Sequence, residues 1–440
     1  MTTLSSSKLA LLGGKPVRVH PYPEPRTIGA EERQAVLEVL DDGVLSRFLA
    51  TWSDEFFGGP RVRELERRWA ERFHVTHAVA MNSATSGLYA AVGAAGVGPG
   101  DEVIVSPYTM TASAVAPVVY GATPVFADID PRTFAITRES IEPCLTSRTK
   151  AIIVVDIFGQ PAEMDPIMDL ARDKNLVVIE DAAQAAGAVY KRRPAGTLAH
   201  IGVYSLNYHK TIHCGEGGVV VTDDADLAER LQLIRNHAET VVKAKGVTNL
   251  VNMVGFNYRM TEIEAAIAGE QLRKLDALVS QRQERAAALT DWLTGSPGIT
   301  PPFVLPHVTH GYYLYVMRYD QNATGIPREL FVKAMRAEGI PLVAGYVEPL
   351  YLQPIYQQRI GIGREGFPFT GGRRVSYERG ICPVVEQMHF NEVIFTNIVH
   401  AGVTLDALRD FQRAVDKVAA ARQSLIAQVA DDRPAVNSLQ

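Results

Sequence analysis

Three stretches of this sequence set unusual residue types where a chain can do chemistry. The apolar run 176–179 is followed at once by Glu180-Asp181-Ala182-Ala183-Gln184, so carboxylates stand at the end of a buried strand. The run 202–205 leads into Leu206-Asn207-Tyr208-His209-Lys210 and then into Thr211-Ile212-His213-Cys214-Gly215-Glu216-Gly217-Gly218, placing a lysine between a strand and a glycine-rich turn. Earlier, Met81-Asn82-Ser83-Ala84-Thr85-Ser86 precedes the helix-forming run 87–95. Each has a plain structural use: the acid as a helix cap, the lysine as a solvated surface residue, the small hydroxyl residues as a closed first turn. Each also has a chemical use, since a helix start offers backbone N–H groups and its dipole to a phosphate. In this order the three suit pyridoxal phosphate. The helix start cradles the phosphate, and an acid keeps the pyridine nitrogen protonated so that the ring draws electrons. Lys210, 29 positions after Asp181, forms the Schiff base and moves the proton.

The elements that must hold these residues are legible in the apolar pattern. Candidate strands lie at 102–105, 124–127, 151–155, 176–179, 202–205 and 218–222. Their Val/Ile/Ala runs are continuous instead of alternating, which suits strands covered on both faces and therefore a largely parallel sheet between helices. In such sheets ligands bind at the carboxyl ends of the strands. Val62, Leu65, Trp69 and Phe73 make one face of a helix that precedes this region. Beyond about residue 290 the pattern changes. Pro301-Pro302, a helix over 328–338, a glycine-rich stretch at 361–372 and a last helix from Leu405 predict a smaller α+β domain. Leu408, Phe411, Val415 and Val418 form the buried stripe of that last helix, with Thr404 as its cap. The expected division is an N-terminal arm at 1–26, a large domain at 27–290, a smaller domain at 291–430 and a loose tail at 431–440.

Composition narrows the class. The chain has 440 residues, with 44 Lys+Arg against 49 Asp+Glu and a net charge of −5, so it carries no basic footprint for nucleic acid. That length predicts more than one core. With 47% hydrophobic and 21% charged residues, wholesale disorder is excluded. Cys144, Cys214 and Cys382 are too few and too dispersed for a disulfide framework or a metal site, which fits a reducing cytoplasm. No apolar run reaches 18 residues, and 1–8 lacks the apolar centre of a signal peptide. A soluble cytoplasmic protein with neither a membrane nor a nucleic-acid partner is expected. His209 and His213 have the spacing of a metal pair but lack a third ligand, so no metal is expected.

From about Gly59 to Val418 the sequence resembles the DegT/StrS-type sugar aminotransferases, which are fold-type-I enzymes dependent on pyridoxal 5′-phosphate. The matching stretches are Gly59-Pro60, Gly98-Pro99-Gly100-Asp101-Glu102-Val103, Gly121-Ala122-Thr123-Pro124-Val125-Phe126, Glu180-Asp181-Ala182-Ala183-Gln184, Gly215-Glu216-Gly217-Gly218 and Asn257-Tyr258-Arg259-Met260-Thr261-Glu262. The resemblance implies an α/β large domain with a mostly parallel sheet and a smaller α+β C-terminal domain. It implies Lys210 as Schiff-base lysine and general acid/base, Asp181 as partner of the pyridinium, and Gln184 beside the cofactor's phenolic oxygen. Ser205, Ala84 and Thr85 would contact the phosphate, and Asn257 would reach it from a neighbouring subunit, which implies a homodimer with shared sites.

Two positions depart from the family. Its usual Gly-Thr at the cradle is Ala84-Thr85 here. Its aromatic ring-stacking position aligns with Met110, so either that thioether covers the ring or Tyr108 does. Relatives that dehydrate sugars carry His where Lys210 stands; the lysine favours amino transfer. The donor expected by resemblance is L-glutamate or L-glutamine. The segments 383–388 and 398–402 look like the branch acting on inososes and aminohydroxybenzoate precursors, which tilts the acceptor toward a keto-cyclitol or a sugar without a nucleotide, in a secondary-metabolite pathway. Arg259 either clamps the donor's carboxylate or sits in an interhelical ion pair, and Tyr346 is a further substrate candidate. Two other readings stand beside this one: a dehydratase or eliminase with the same cofactor residues, and a non-catalytic regulator with the same fold.

Overall fold

Strands built from unbroken Val/Ile/Ala runs must be covered on both faces, and that requirement organises the chain. The computed structural model describes residues 8–371 and 374–431. It contains a seven-stranded sheet of β1 (His77–Met81), β2 (Glu102–Val105), β3 (Thr123–Phe126), β4 (Thr149–Val155), β5 (Val177–Asp181), β6 (Ile201–Ser205) and β7 (Gly218–Thr222), in the order β1-β7-β6-β5-β4-β2-β3. The run from β6 to β3 is parallel, whereas β7 lies antiparallel to both β6 and β1. The six predicted strands are all present within one or two residues of their expected ends. β1 was not foreseen, because His-Ala-Val-Ala-Met has only one β-branched residue and its alanines also suit a helix.

Strand alternation separates two packing layers. Ala78 and Ala80 of β1, with Val219 and Val221 of β7, face the helix Pro60–Phe73 through Leu65, Trp69 and Phe73. Val79, Met81 and Val220 face the opposite layer, which includes Leu88 and Ala91 of the helix Ala84–Ala94. The helix Glu262–Leu293 runs along the first layer and continues into the C-terminal core, where Leu289 and Leu293 meet Tyr315, Phe331, Phe411 and Val415. There a four-stranded antiparallel sheet includes Tyr315–Tyr319 and Val393–Thr396, under the helices Arg328–Ala337 and Leu405–Ala420. Thr404 caps the helix Leu405–Ala420 by accepting the Ala407 N–H at 3.2 Å; it is not the last helix as expected, because a further one, Arg422–Asp431, follows.

Most of the expected arm is docked. Leu9 is buried in the C-terminal core, and the N–H groups of Ala10 and Val17 both donate to Glu338. The expected tail lies, from residue 432 on, outside the described residues. Among the described residues no helix is long and apolar enough to cross a membrane.

Trp69 is fully buried, stacked on Phe73 with ring centroids 5.1 Å apart and edge-on to Tyr204 of β6. Trp69→Ala is expected to cost about 3–5 kcal/mol. A urea titration would read this as a lower unfolding midpoint, and an unchanged midpoint would contradict the packing.

Candidate active site

Register brings the three stretches to one edge. Asp181 ends β5 and pairs with Val203 of β6, and Ser205 ends β6 opposite Gly218. Gly218 in turn pairs with Met81, the last residue of β1. The chain therefore enters the helix Ala84–Ala94 beside the strand ends that carry Ser205 and Asp181. A cavity of about 160 Å³ opens there, lined by Ala84, Thr85, Met110, Asp181, Gln184, Ser205 and Lys210, together with Asn207, His209 and Glu216.

The helix start forms an anion cradle. Ser83 caps it by accepting the Ser86 N–H at 3.0 Å, and Gly87 donates to the Ser83 carbonyl. The N–H groups of Ala84 and Thr85 are among those that helix geometry leaves without an intrahelical acceptor. Gly218 makes the close approach possible: a Cβ there would lie 2.6 Å from the Ala84 nitrogen. The methyl group of Ala84, unexpected for the family, lies on the cavity wall without closing it.

Asp181 does not cap a helix; turns follow it. Its Oδ2 accepts from Ser113 Oγ at 2.6 Å and its Oδ1 from the Ala183 N–H at 3.2 Å. Burial pushes its pKa up, while Ser113, the Ala183 N–H and the charge of Lys210 pull it back. Ser113 escaped the sequence reading. The signal was there, since a serine inside the apolar run 112–120 has to bond to something. Glu180 points to the other face of the strand, where its carboxylate accepts from the Gly196 and Leu198 N–H groups at 2.6 and 2.7 Å.

Burial lowers the pKa of Lys210 to about 8, against the pull of Asp181. Its ammonium lies over the Tyr313 ring, 4.5 Å from the centroid. The pKa of His209 is also pushed down, by burial and then by Lys210, which favours its neutral form. Gln184 is locked from both ends. Its Oε1 accepts the Phe158 N–H at 2.8 Å and its Nε2 donates to the Tyr346 hydroxyl at 3.1 Å. Tyr346 thus joins the site through Gln184.

Other expected residues stand apart. Tyr108 is 0% exposed and packs edge-on to Phe158, Tyr346 and His389 behind the cavity, whereas Met110, 52% exposed, lines it. Of the two candidates, Met110 is the one that lines the cavity. Asn257 and Arg259 lie outside the cavity, bonded to each other at 2.8 Å, and Arg259 also donates to the Phe48 carbonyl. Asn207 and Glu216, not singled out from the sequence, meet at 2.8 Å on the cavity wall.

The donor set fits pyridoxal 5′-phosphate: an N–H cradle with Ser205 for the phosphate, a buried carboxylate for the ring nitrogen, and an amine of lowered pKa for covalent attachment. When bound, that cofactor supplies an electron sink for breaking bonds at an amine-bearing carbon. Asp181 would hold the ring-nitrogen proton, and Lys210, close to half unprotonated near pH 8, can take and return a proton.

Fold and site together define a fold-type-I enzyme dependent on pyridoxal phosphate. Residues 27–394 match the DegT/DnrJ/EryC1/StrS aminotransferase family. The chain belongs to that family and is a PLP-dependent aminotransferase. It is 34% identical to the spore coat polysaccharide biosynthesis protein SpsC of Bacillus subtilis (strain 168) over 79% of this chain and 88% of that one. It is 37% identical to a GDP-perosamine synthase of Caulobacter vibrioides over 76% of this chain and 85% of that one. The structure of DesI with its TDP-sugar product is similar at a TM-score of 0.79, with 28% identity over 96% of this chain and 99% of that one.

Two outcomes are expected. Ser113→Ala removes a donor to the charged form of Asp181, so the acid limb of the kcat/KM profile moves up by about one pH unit with the cofactor still bound. An unmoved limb would show that Ser113 does not tune Asp181. Attachment of cofactor to the apoprotein needs the free amine of Lys210. Its rate, followed by absorbance, is expected to rise with pH through about 8 and level off above. A continued rise toward the ordinary lysine range would contradict the lowered pKa.

Proposed function

We propose that the protein transfers the amino group of L-glutamate or L-glutamine to the ketone of a nucleotide-linked sugar, as a homodimer in the cytoplasm. The observation that carries the transfer is Lys210, with its lowered pKa, in one cavity with Asp181 and a helix N-terminus. The nucleotide is supported by the relatives: one makes a GDP-linked sugar, and a similar structure holds a TDP-sugar. This departs from the keto-cyclitol tilt of the segments 383–388 and 398–402.

Support for the dimer comes from what this chain leaves unfinished. Asn257 and Arg259 do not line its own cavity. Leu45, Leu49, Trp52, Leu250, Val251 and Val254 are exposed, and Lys245 over Trp52 brings the two loops together. An apolar surface of this kind is a contact face. We propose that a second copy covers it and supplies Asn257 to the partner's cofactor phosphate.

The test is the visible absorption of the protein with pyridoxal phosphate, before and after L-glutamate, L-glutamine or L-alanine, with Lys210→Ala as control. The lysine-bound band should form in the natural protein alone and be bleached by glutamate or glutamine. Ketones that restore it identify the acceptor, with nucleotide-linked keto-hexoses set against keto-cyclitols. A band that no donor bleaches would favour the eliminase reading, and no band at all would overturn the site.

A further inference from the structure

Lys210 is a wall of two cavities. Besides the cofactor cavity it borders a smaller one, closed by Arg26 of the arm, His213, Arg282 of the long helix and the loop at 400–402. Among the described residues no carboxylate lines this second cavity. Arg282 is only 7% exposed, donates to the Tyr312 carbonyl at 3.1 Å, and has no carboxylate acting on it among the described residues. Arg285, one turn further along, is used differently: it grips the carbonyls of Val403 and Ala401 and so holds the loop against the helix. His400 is fixed in turn by accepting the Gly402 N–H at 3.2 Å. Arg282 is thus a buried cation held in place with no counter-ion, an arrangement that costs stability until an anion joins it.

Size decides which anion. The cavity holds about 20 Å³, and about 10–15 Å³ admits one water-sized group. That is room for little more than one carboxylate oxygen, and a diphosphate does not fit. Position decides whose carboxylate. In an α-amino acid the amine and the carboxyl carbon are about 2.5 Å apart, so an amine delivered to the attachment point of Lys210 carries its carboxylate to within one side-chain width of that lysine. Arg259, the candidate from sequence, is committed to Asn257 and the Phe48 carbonyl and borders neither cavity.

We propose that Arg282, with Arg26 and His400 beside it, receives the α-carboxylate of the amino donor in the cavity behind Lys210. This rests on the amino-transfer reading and names the subsite that reading requires. A guanidinium matches a carboxylate through paired N–H donors, so its removal is expected to weaken donor binding by about tenfold or more.

The test is calorimetric titration of the cofactor-loaded protein with L-glutamate and with 4-aminobutyrate, which keeps the distal carboxylate but lacks the α one. Glutamate should bind the natural protein, about tenfold more weakly to Arg282→Gln, and with partial recovery in Arg282→Lys. 4-Aminobutyrate should bind all three alike, with the lysine-bound cofactor band unchanged as evidence of an intact fold. Unchanged glutamate affinity in Arg282→Gln, or equal loss for both ligands, would overturn the proposal. So would the absence of glutamate binding to the natural protein. Glutamate that binds through Arg282 but never bleaches the cofactor would instead sink the transfer reading and leave the subsite standing.

Discussion

Keeping Asp181 ionised at the dry carboxyl edge of the sheet is the condition on which the rest of the site depends. Burial alone favours the neutral acid, and a neutral acid cannot hold a proton on a ring nitrogen. The fold opposes burial with three fixed partners: the Ser113 hydroxyl, the Ala183 N–H and the charge of Lys210. Those partners come from different elements, so the sheet register, the helix Ala112–Val119 and the loop after β6 all have to be correct at once. The same burial lowers the pKa of the lysine, so one dry edge sets the protonation of both groups.

The antiparallel pair β1 and β7 meets a second constraint. A phosphate cradle has to stand beside the strand ends that carry Asp181 and Ser205, and a wholly parallel continuation would need another crossover there. By turning back, β7 lets Gly218 lie against both Ser205 and Met81. The absence of a side chain at Gly218 brings the helix start close enough to use its N–H groups.

Legibility in the sequence followed burial. Strands covered on both faces have nearly uniform apolar composition, so β2 to β7 could be read; the alanines of β1 mimic a helix and hid it. Lys210, Asp181, Gln184, Ser205, Ala84 and Thr85 stand at strand ends or a helix start, where local order in the chain is also order in space, and all six line one cavity. Ser113 and Glu216 are ordinary residues whose significance comes only from what lies across the cavity, which is tertiary information. Met110 and Tyr108 are two apart in the chain. Sequence could not choose between them, because the choice depends on the aromatic cluster of Phe158, Tyr346 and His389 that absorbs Tyr108.

Every described residue of one chain that lines the cofactor cavity lies between Ser83 and Gly217, whereas the cavity behind Lys210 draws on residues from Pro25 to Gly402. One chain's own share of the cofactor site is thus written in one continuous stretch, and contact with what enters beside it is written in several distant ones. Changes in the arm, the long helix or the loop after residue 399 can accumulate without disturbing the groups that grip the cofactor. A lineage built on this plan can exchange the molecules it acts on while inheriting its chemistry intact.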